Sequence, residues 1–518
     1  MQNRKDDCIS SNNDNKTLGK NYFFNVAYQI LCIIVPLITA PYLARVLTAN
    51  GTGQYSFSNS LCSYLVLLAS LGFGYYAQRT IAAHKNDKKQ QTLIFWEIIL
   101  VRFVSTGLAL GLNLLLYYLG VYQSYSQLML WWSLNIVATG FDISFLFQGN
   151  EKFGSIVLRN SVVKIASVLC IFLFVKNENH VWIYVLCIAG STLAANLSLW
   201  ISLPKFLVSV KFSDLHPARH IIPTLRLFVP TIALSIYLVL DKTLIGLLIP
   251  DTYVVEEIQQ INGVDTVVSV TKKYSDLENG YYEQAEKIVK TAMTIITSLT
   301  TVMLPRNSNE HAAGNKNGLI NNIYLGTKYV LVLGIPMTLG IIAVAPNLIP
   351  WFLGDGYEKC IFLMQLFAPL CLVIGLSNVL GIQYLVATRQ DTKYTIVTIT
   401  GALINLTLNL CLIPFLWSYG AVIATLVAES SICIILLIMT RHDISGKKIL
   451  LQSIKPLISG SLMFALVYFT QLYLSPSWYF TLLLVFEGAG VYLASMLILK
   501  DPFIFEVLRL FKRNKLDQ

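Results

Sequence analysis

Fourteen runs of predominantly apolar residues follow one another along this chain of 518 residues. A helix of about 20 apolar residues is long enough to cross the hydrocarbon core of a bilayer. Charged residues make up 13% of the chain, well below the about 25% of a typical soluble domain. The sequence therefore predicts an all-α, polytopic membrane protein with about 14 transmembrane helices. The runs lie near residues 22–43, 55–77, 93–119, 127–148, 155–175, 181–203, 225–249, 283–304, 323–349, 361–386, 395–416, 419–439, 449–474 and 478–499.

The basic residues are distributed unevenly between the loops. Most of the 38 Lys and Arg residues lie in alternate loops, on the same side as the basic N-terminal segment 1–20. Because loops rich in Lys and Arg stay in the cytoplasm, this pattern favours an even number of spans with both termini cytoplasmic. The same concentration of basic residues in the cytoplasmic loops explains the net charge of +10, so this charge does not indicate a nucleic-acid partner. We expect residues 1–20 to be a cytoplasmic tail rather than a signal peptide, and residues 500–518 to be a basic tail along the inner membrane surface.

A short internal similarity divides the chain into two halves. Gly53-Gln54-Tyr55 opens the second span, and Gly280-Tyr281-Tyr282 opens the eighth span in the same orientation. Such a repeat is typical of transporters built from two related bundles. Residues 250–279 form an insertion on the extracellular side, either as a β-hairpin around "NG" or as a disordered loop. The predicted parts are a cytoplasmic tail (1–20), an N-terminal six-helix bundle (21–222), a C-terminal six-helix bundle with the insertion (223–442), two additional helices (443–499) and a basic tail (500–518).

Several segments, in order along residues 20–440, resemble one family of membrane proteins. They read "PYLARVLTANGTGQYSFSNSL", "GYYAQRTIA", "DISFLFQGNEKF", "DKTLIGLLI" followed by "GYYEQAEKIVK", "TVMLPRNSN" and "GLSNVLGIQYLVATRQDTKY". The sequence is similar to the polysaccharide flippases of the multidrug/oligosaccharidyl-lipid/polysaccharide (MOP) exporter superfamily. The similarity is to the type that exports lipid-linked repeat units for O-antigen, capsule or exopolysaccharide. The insertion departs from the short loop that this family has there.

The resemblance implies both a fold and a function. It implies two six-helix bundles around a central cavity, with two further C-terminal helices at the side. It implies a transporter, not an enzyme, that flips an undecaprenyl-diphosphate-linked oligosaccharide across the cytoplasmic membrane by alternating access. No cofactor and no metal site are expected, although sodium or a proton is a possible coupling ion. The expected partners are the lipid-linked glycan and membrane lipid, with a polysaccharide polymerase and chain-length machinery as further candidates.

A diphosphate needs cationic side chains along its path, and the arginine guanidinium binds oxyanions through two parallel hydrogen bonds. Arg102 lies about mid-way along the third span and is the deepest basic candidate. The alternative for Arg102 is an ion pair with Glu97, although five residues of spacing place the two on different helix faces. Arg45 and Arg79 are alternatively interfacial anchors. The candidates for diphosphate binding are Arg45, Arg79, Arg102, Arg159, Lys164 and Lys242.

Polar residues inside the spans are candidates for coupling or for lining the cavity. Asp142 lies within the fourth span, where it binds a coupling ion, accepts hydrogen bonds from sugars or ties two helices together. Gln148 lies near the inner end of that span. Asn405 and Asn409 are four residues apart in the eleventh span and either bond a neighbouring helix or face the cavity. In the eighth span, the Glu283–Lys287 and Glu286–Lys290 spacings predict ion pairs along one helix.

The adjacent charges Asp241 and Lys242 lie on the outer half of the seventh span. Neighbouring residues on a helix point about 100° apart, so the two cannot share one face. We expect Lys242 to contact the diphosphate and Asp241 to be its partner or an ion site. The alternative is a structural pair between Asp241 and Arg45.

Three other functions are compatible with parts of this pattern. A flippase for the peptidoglycan precursor lipid II is the nearest alternative. A drug or cation antiporter of the same superfamily needs an acidic, aromatic cavity, and the basic candidates disfavour it. A membrane glycan polymerase is expected to carry acid and base residues on a large outer loop, and residues 250–280 contain neither His nor Arg.

Overall fold

A computed structural model describes the backbone of residues 2–150, 153–250, 252–261 and 264–505, and most of their side chains from residue 31 onward. The chain divides into two compact units, Met1–Thr243 and Leu244–Gln518. The first unit contains seven helices and the larger part of an eighth. These are α1 (Gln2–Ser70), α2 (Phe73–Ala83), α3 (Lys88–Tyr118), α4 (Ser126–Gly140), α5 (Ser144–Gly149), α6 (Phe153–Phe174), α7 (Val181–Trp200) and α8 (Ile221–Leu248).

The first two predicted spans are joined without a loop. The expected boundary between residues 43 and 55 is present as a kink, because the chain is helical on both sides of Thr48, where φ is 58° and ψ is −179°. Gly51 explains why this polar, glycine-containing stretch packs as a helix. A Cβ atom at Gly51 would lie 3.0 Å from Cγ2 of Val181 at the start of α7. Close helix packing therefore overrides the weak helix propensity of "TANGTG".

The apolar core of the first unit consists of two clusters of buried side chains. One is centred on Trp132 and Leu47, and it packs α1, α4 and α7 together. The other is centred on Phe95 and Phe145, between α3 and α5. Trp132 also donates its indole N–H to Oγ of Ser58 at 3.1 Å, which satisfies a polar group that would otherwise be buried alone.

The second unit begins inside α8 and continues through a β-hairpin into eight helices. The helices are α9 (Tyr274–Ala312), α10 (Lys316–Leu353), α11 (Lys359–Phe367), α12 (Leu370–Leu380), α13 (Asp391–Leu416), α14 (Ser418–Thr440), α15 (Gly446–Gln471) and α16 (Trp478–Ile498). A π-helical segment, Gly381–Val386, follows α12 directly. Helices α15 and α16 pack on α10, where Tyr492 donates to the carbonyl of Val332 at 2.8 Å.

The fold class predicted from the sequence is confirmed: the described chain is almost entirely helical and polytopic. Within the described residues, ten helical segments are long and apolar enough to cross a membrane. The exact number of fourteen spans stays a prediction. Two predicted spans are discontinuous, since 127–148 breaks between α4 and α5, and 361–386 comprises α11, α12 and the π-helical segment.

The insertion after α8 is a β-hairpin, as one of the two alternatives predicted. Strands β1 (Thr252–Ile261) and β2 (Val264–Lys273) pair antiparallel, with Ile261 opposite Val264. The two strands are therefore joined by a two-residue connection, the length that "NG" favours. Residues 262 and 263 themselves lie outside the described residues. Tyr253 packs on Tyr274 at the start of α9, with ring centroids 4.7 Å apart.

We expect the hairpin to be dispensable for folding. Thr252 and Lys273 are opposite each other in the ladder, so their Cα atoms are about 5 Å apart, and Asn-Gly can replace residues 253–272. The thermal midpoint of the purified variant and its level in the membrane should equal those of the wild type. A large fall in either quantity would show that the hairpin holds the second unit together.

Candidate functional site

The fourth predicted span is broken next to its acidic residue. Helix α4 ends at Gly140, and α5 begins at Ser144 after three residues that include Asp142. Two hydrogen bonds stabilise the break. Oδ1 of Asp142 accepts from the backbone N–H of Ser144 at 2.9 Å, and the indole N–H of Trp200 donates to the carbonyl of Phe141 at 2.8 Å. Transporters commonly place ion or substrate sites at such discontinuous helices, because the break frees backbone groups at membrane depth.

Arg102 of α3 binds this break directly. Its Nη1 donates to the backbone carbonyl of Asp142 at 2.7 Å, and its Nη2 lies 3.3 Å from Oδ2 of the same residue. The Arg102 side chain is 6% exposed, whereas that of Asp142 is 31% exposed. The Nε of Arg102 has no hydrogen-bond partner among the described residues. Asp142 thus balances the buried charge of Arg102, and its carboxylate remains partly accessible. The Nε–H of Arg102 remains available for a further hydrogen bond.

The within-helix pair between Arg102 and Glu97 does not form, as the five-residue spacing predicted. The Glu97 carboxylate, fully buried, instead accepts three hydrogen bonds from the segment before α8. The donors are the backbone N–H of His216 (2.8 Å), Nε of Arg219 (2.8 Å) and Nε2 of His220 (2.7 Å), and Nη2 of Arg219 forms an ion pair with the carboxylate at 2.6 Å. Glu97 therefore fixes the 3₁₀ turn Pro217–His220 against α3.

His220 extends this cluster to α2. Its Nδ1 lies 2.7 Å from the hydroxyl of Tyr76. Burial lowers the pKa of His220, against the opposing effect of the Glu97 hydrogen bond, and we assign a neutral imidazole. Because Nε2 faces a carboxylate, it carries the proton, and Nδ1 then accepts from the Tyr76 hydroxyl. Sequence reasoning considered Glu97 only as a partner for Arg102, and the signal for this cluster was the "HPARH" stretch before α8.

Four other basic candidates of the first unit lie on three helices, α1, α2 and α6. Arg45 and Arg79 are exposed on α1 and α2, and Lys164 is half-buried on α6. Arg159 of α6 donates from Nη1 to the carbonyl of Ala195 on α7 at 2.6 Å. This contact ties two helices. A role for any of the four in diphosphate binding stays a prediction.

Gln148 is half-buried on α5 and directly precedes Gly149, a position where close packing leaves no room for a side chain. A Cβ atom at Gly149 would lie 2.7 Å from Cγ2 of Ile81 on α2. The close contact explains why α5 can lie against α2.

Asp241 and Lys242 lie on α8 with different exposure, buried and half-buried respectively. The next residue, Thr243, bonds α8 to α1. Its hydroxyl lies 3.0 Å from that of Tyr64 and 3.0 Å from that of Ser60. This hydroxyl chain fixes the rotation of α8 about its axis and thereby the direction in which the two charges point. The assignments of Asp241 and Lys242 to substrate or ion binding stay predictions.

Asn405 and Asn409 are fully buried on α13. Asn409 donates to the side-chain oxygen of Asn405 at 3.0 Å, and Asn405 donates to the hydroxyl of Thr425 on α14 at 3.1 Å. The structure thus places Asn405 in a bond between helices, one of its two predicted roles.

The predicted pair between Glu286 and Lys290 is confirmed, with a separation of 2.6 Å. A stronger ionic contact at the start of the same helix was not predicted. Lys359 of α11 lies 2.6 and 2.7 Å from the two carboxylate oxygens of Glu278, and Ser418 of α14 donates to that carboxylate through its hydroxyl. The Lys359 ammonium also lies 4.6 Å from the ring centroid of Tyr419. These contacts fasten α9, α11 and α14 together.

At the opposite end of α9, an acidic residue joins three segments of the second unit. Asp443 follows α14, and its Oδ1 lies 2.6 Å from the ammonium of Lys316. Its Oδ2 accepts from the hydroxyl of Tyr384 in the π-helical segment at 2.7 Å. The hydrogen bonds from Lys316 and Tyr384 lower the pKa of Asp443. Asp443 thus anchors the π-helical segment, an irregular helix type that is common at functional sites.

These features are those of a multi-pass membrane transporter. The described residues contain ten candidate spans, a discontinuous helix with a buried ion pair, and a π-helical segment in the second unit. Known structures agree with this class. The model resembles "Lipid II flippase MurJ, inward closed conformation" with a TM-score of 0.71 and 16% identity, covering 93% of this chain and 100% of that chain. It resembles an inward-facing MATE-family multidrug resistance transporter of the MOP superfamily with a TM-score of 0.55 and 13% identity, covering 80% and 99%.

The family model described as "Polysaccharide biosynthesis protein" matches residues 18–311, more than half of the chain, and the protein belongs to this family. A relative from Escherichia coli (strain K12), named "Putative O-antigen transporter", is 24% identical over 437 residues, which is 83% of this chain and 99% of the relative. A relative of the same name from Shigella dysenteriae is 21% identical over 81% of this chain and 96% of the relative. The predicted resemblance to MOP-superfamily polysaccharide flippases is confirmed.

Proposed function

We propose that the protein flips an undecaprenyl-diphosphate-linked oligosaccharide from the inner to the outer leaflet of the bacterial cytoplasmic membrane. The observation that carries this proposal is the family match, together with relatives named as O-antigen transporters that align over most of the chain. The glycan would then serve polysaccharide assembly on the outer side. Both termini lie in the cytoplasm, as the distribution of basic residues indicates. The protein carries out no chemistry on its substrate.

The Arg102–Asp142 pair supports a mechanism for this transport. A diphosphate carries more negative charge than one carboxylate and offers several acceptor oxygens, so it can compete for the guanidinium. Asp142, once released, would bind a proton or a sodium ion, because an unpaired carboxylate at membrane depth is costly. Substrate and coupling ion would thus occupy the two halves of one charge pair. The break between α4 and α5, which the pair holds, would respond to this exchange.

Deleting the gene and analysing lipid-linked intermediates tests the proposal. We expect a complete undecaprenyl-linked repeat unit to accumulate in a form that a membrane-impermeant sugar-oxidising reagent cannot reach in intact spheroplasts. Re-expression of the full chain should remove it. Accumulation on the outer leaflet would indicate a polymerase, accumulation of lipid II would indicate a peptidoglycan-precursor flippase, and unchanged intermediates would contradict a flippase of either kind.

A further inference from the structure

A cavity of about 580 Å³ lies in the second unit where α10, α15 and the residues after α16 meet. Its lining comes from residues 321–328 of α10, residues 448–455 of α15 and residues 501–503. Its position is separate from the Arg102–Asp142 pair, which belongs to the first unit. The residues that matter for its chemistry are Asn322, Leu325, Lys448, Leu451, Gln452 and Lys455.

The cavity carries an excess of positive charge. A third lysine in its wall, Lys328, is neutralised by Asp501 at 2.6 Å. Lys448 lies 3.7 Å from the ring centroid of Tyr324, and Lys455 donates to the carbonyl of Lys500 at 3.0 Å. Across the part of the chain that the structure describes, neither Lys448 nor Lys455 forms an ion pair. Two ammonium groups at the cavity are thus available to an anion.

Two buried polar atoms in the cavity wall also lack partners. The side-chain Nδ2 of Asn322 and the side-chain Oε1 of Gln452 have no hydrogen-bond partner among the described residues. Asn322 is only 6% exposed, and buried amides are nearly always hydrogen-bonded. An amide N–H and an amide oxygen are therefore free to bind a group that has both acceptors and donors, such as a phosphodiester with hydroxyl substituents.

The flank of the cavity is apolar and exposed. Leu325 of α10 is 41% exposed, and Leu451 of α15 is 57% exposed. Both helices are candidate membrane spans, so exposed leucines on them are suited to contact with acyl chains. The site therefore combines cationic and hydrogen-bonding groups with an adjoining apolar surface. Free phosphate would use only the cationic and hydrogen-bonding groups, whereas an anionic phospholipid would use these groups with its headgroup and the apolar surface with its acyl chains.

We propose that this cavity binds the headgroup of an anionic membrane phospholipid. Lys448 and Lys455 hold the phosphodiester, Asn322 donates to one of its oxygens, and Gln452 accepts from a headgroup hydroxyl. One acyl chain lies along Leu325 and Leu451. Basic pockets between transmembrane helices on the cytoplasmic side are suited to such headgroups. The bound lipid would join α10 to α15, and the assignment does not depend on which glycan the protein carries.

Native mass spectrometry of the purified full chain tests the site, with palmitoyl-oleoyl-phosphatidylglycerol as the probe. We expect the Lys448→Gln/Lys455→Gln variant to bind this lipid about ten- to thirtyfold more weakly than the wild type, since each basic residue near an anionic lipid contributes about 1 kcal/mol. The wild type should bind phosphatidylcholine much more weakly than phosphatidylglycerol. Equal thermal midpoints of variant and wild type in lipid-free detergent would show that the variant is folded.

The matched control is the Arg441→Gln/Lys447→Gln variant, which removes the same charge from exposed residues just before and at the start of α15 that do not line the cavity. It should keep wild-type affinity for phosphatidylglycerol. An equal loss of affinity in both variants, or equal binding of the two lipids, would overturn the proposal. Displacement of phosphatidylglycerol by millimolar inorganic phosphate would also overturn it, since the cavity would then be a site for a small anion.

Discussion

Replacing Arg102 by methionine is expected to lower the free energy of unfolding by about 3–5 kcal/mol, the loss typical of breaking one side of a buried ion pair, and to abolish glycan export. The physical reason is that Asp142 loses the cation that balances it, and the break between α4 and α5 loses the donor to its backbone carbonyl. The thermal midpoint of the purified protein and the amount of surface glycan, normalised to protein in the membrane, measure the two effects.

A double variant separates stability from transport. In Arg102→Met/Asp142→Asn neither side chain is charged, so no buried charge is left unpaired, and much of the stability should return. Export should remain absent, because the guanidinium for the diphosphate and the carboxylate for the ion are both missing. Export restored to the level of the wild type would show that the pair has only a structural role. Asp142→Asn alone should also lower stability, because it leaves the buried Arg102 cation without its counter-charge, and it should impair export.

The helical, multi-pass fold of this protein was largely predictable because spanning helices depend on local sequence. A run of about 20 apolar residues specifies a spanning helix without reference to any other part of the chain. The hairpin at β1 and β2 was one of two alternatives that the sequence offered, since "NG" between β-branched residues is a local signal. Even the ion pair of Glu286 and Lys290 requires only that their segment be helical.

The partners of buried charges were not predictable, because they depend on how helices rotate and pack. Arg102 binds a residue 40 positions away, and Glu97 binds residues 119 to 123 positions away. Nothing in their local sequence specifies these distances. One deviation from regular helix geometry was missed too, since the chain leaves the helical conformation around Asp142. The hydrogen bond from Trp200 that contributes to this break comes from another helix, α7.

Glu97 makes one of these distant contacts, and the fold depends on it energetically. Its carboxylate is fully buried on α3, accepts three hydrogen bonds from the segment His216–His220 and forms an ion pair with Arg219 of that segment. We expect Glu97→Gln to reduce the free energy of unfolding by about 1–3 kcal/mol, because in either orientation the NH2 of the buried glutamine amide faces a donor, the His216 N–H on one side or Arg219 and His220 on the other. The level of protein in the membrane and the thermal midpoint in detergent should both fall.

The control is Asp87→Asn at the start of the same helix. The Asp87 side chain caps α3 by accepting from Lys89 and Gln90, and asparagine caps helices equally well. This variant should behave like the wild type although it removes the same charge from α3. Arg219→Gln should have an intermediate effect, since it removes the counter-charge of Glu97 but leaves the hydrogen bonds from His216 and His220 in place. If Glu97→Gln were as stable as Asp87→Asn, Glu97 would not hold the segment before α8 in place, and the cluster would contribute nothing measurable to the fold.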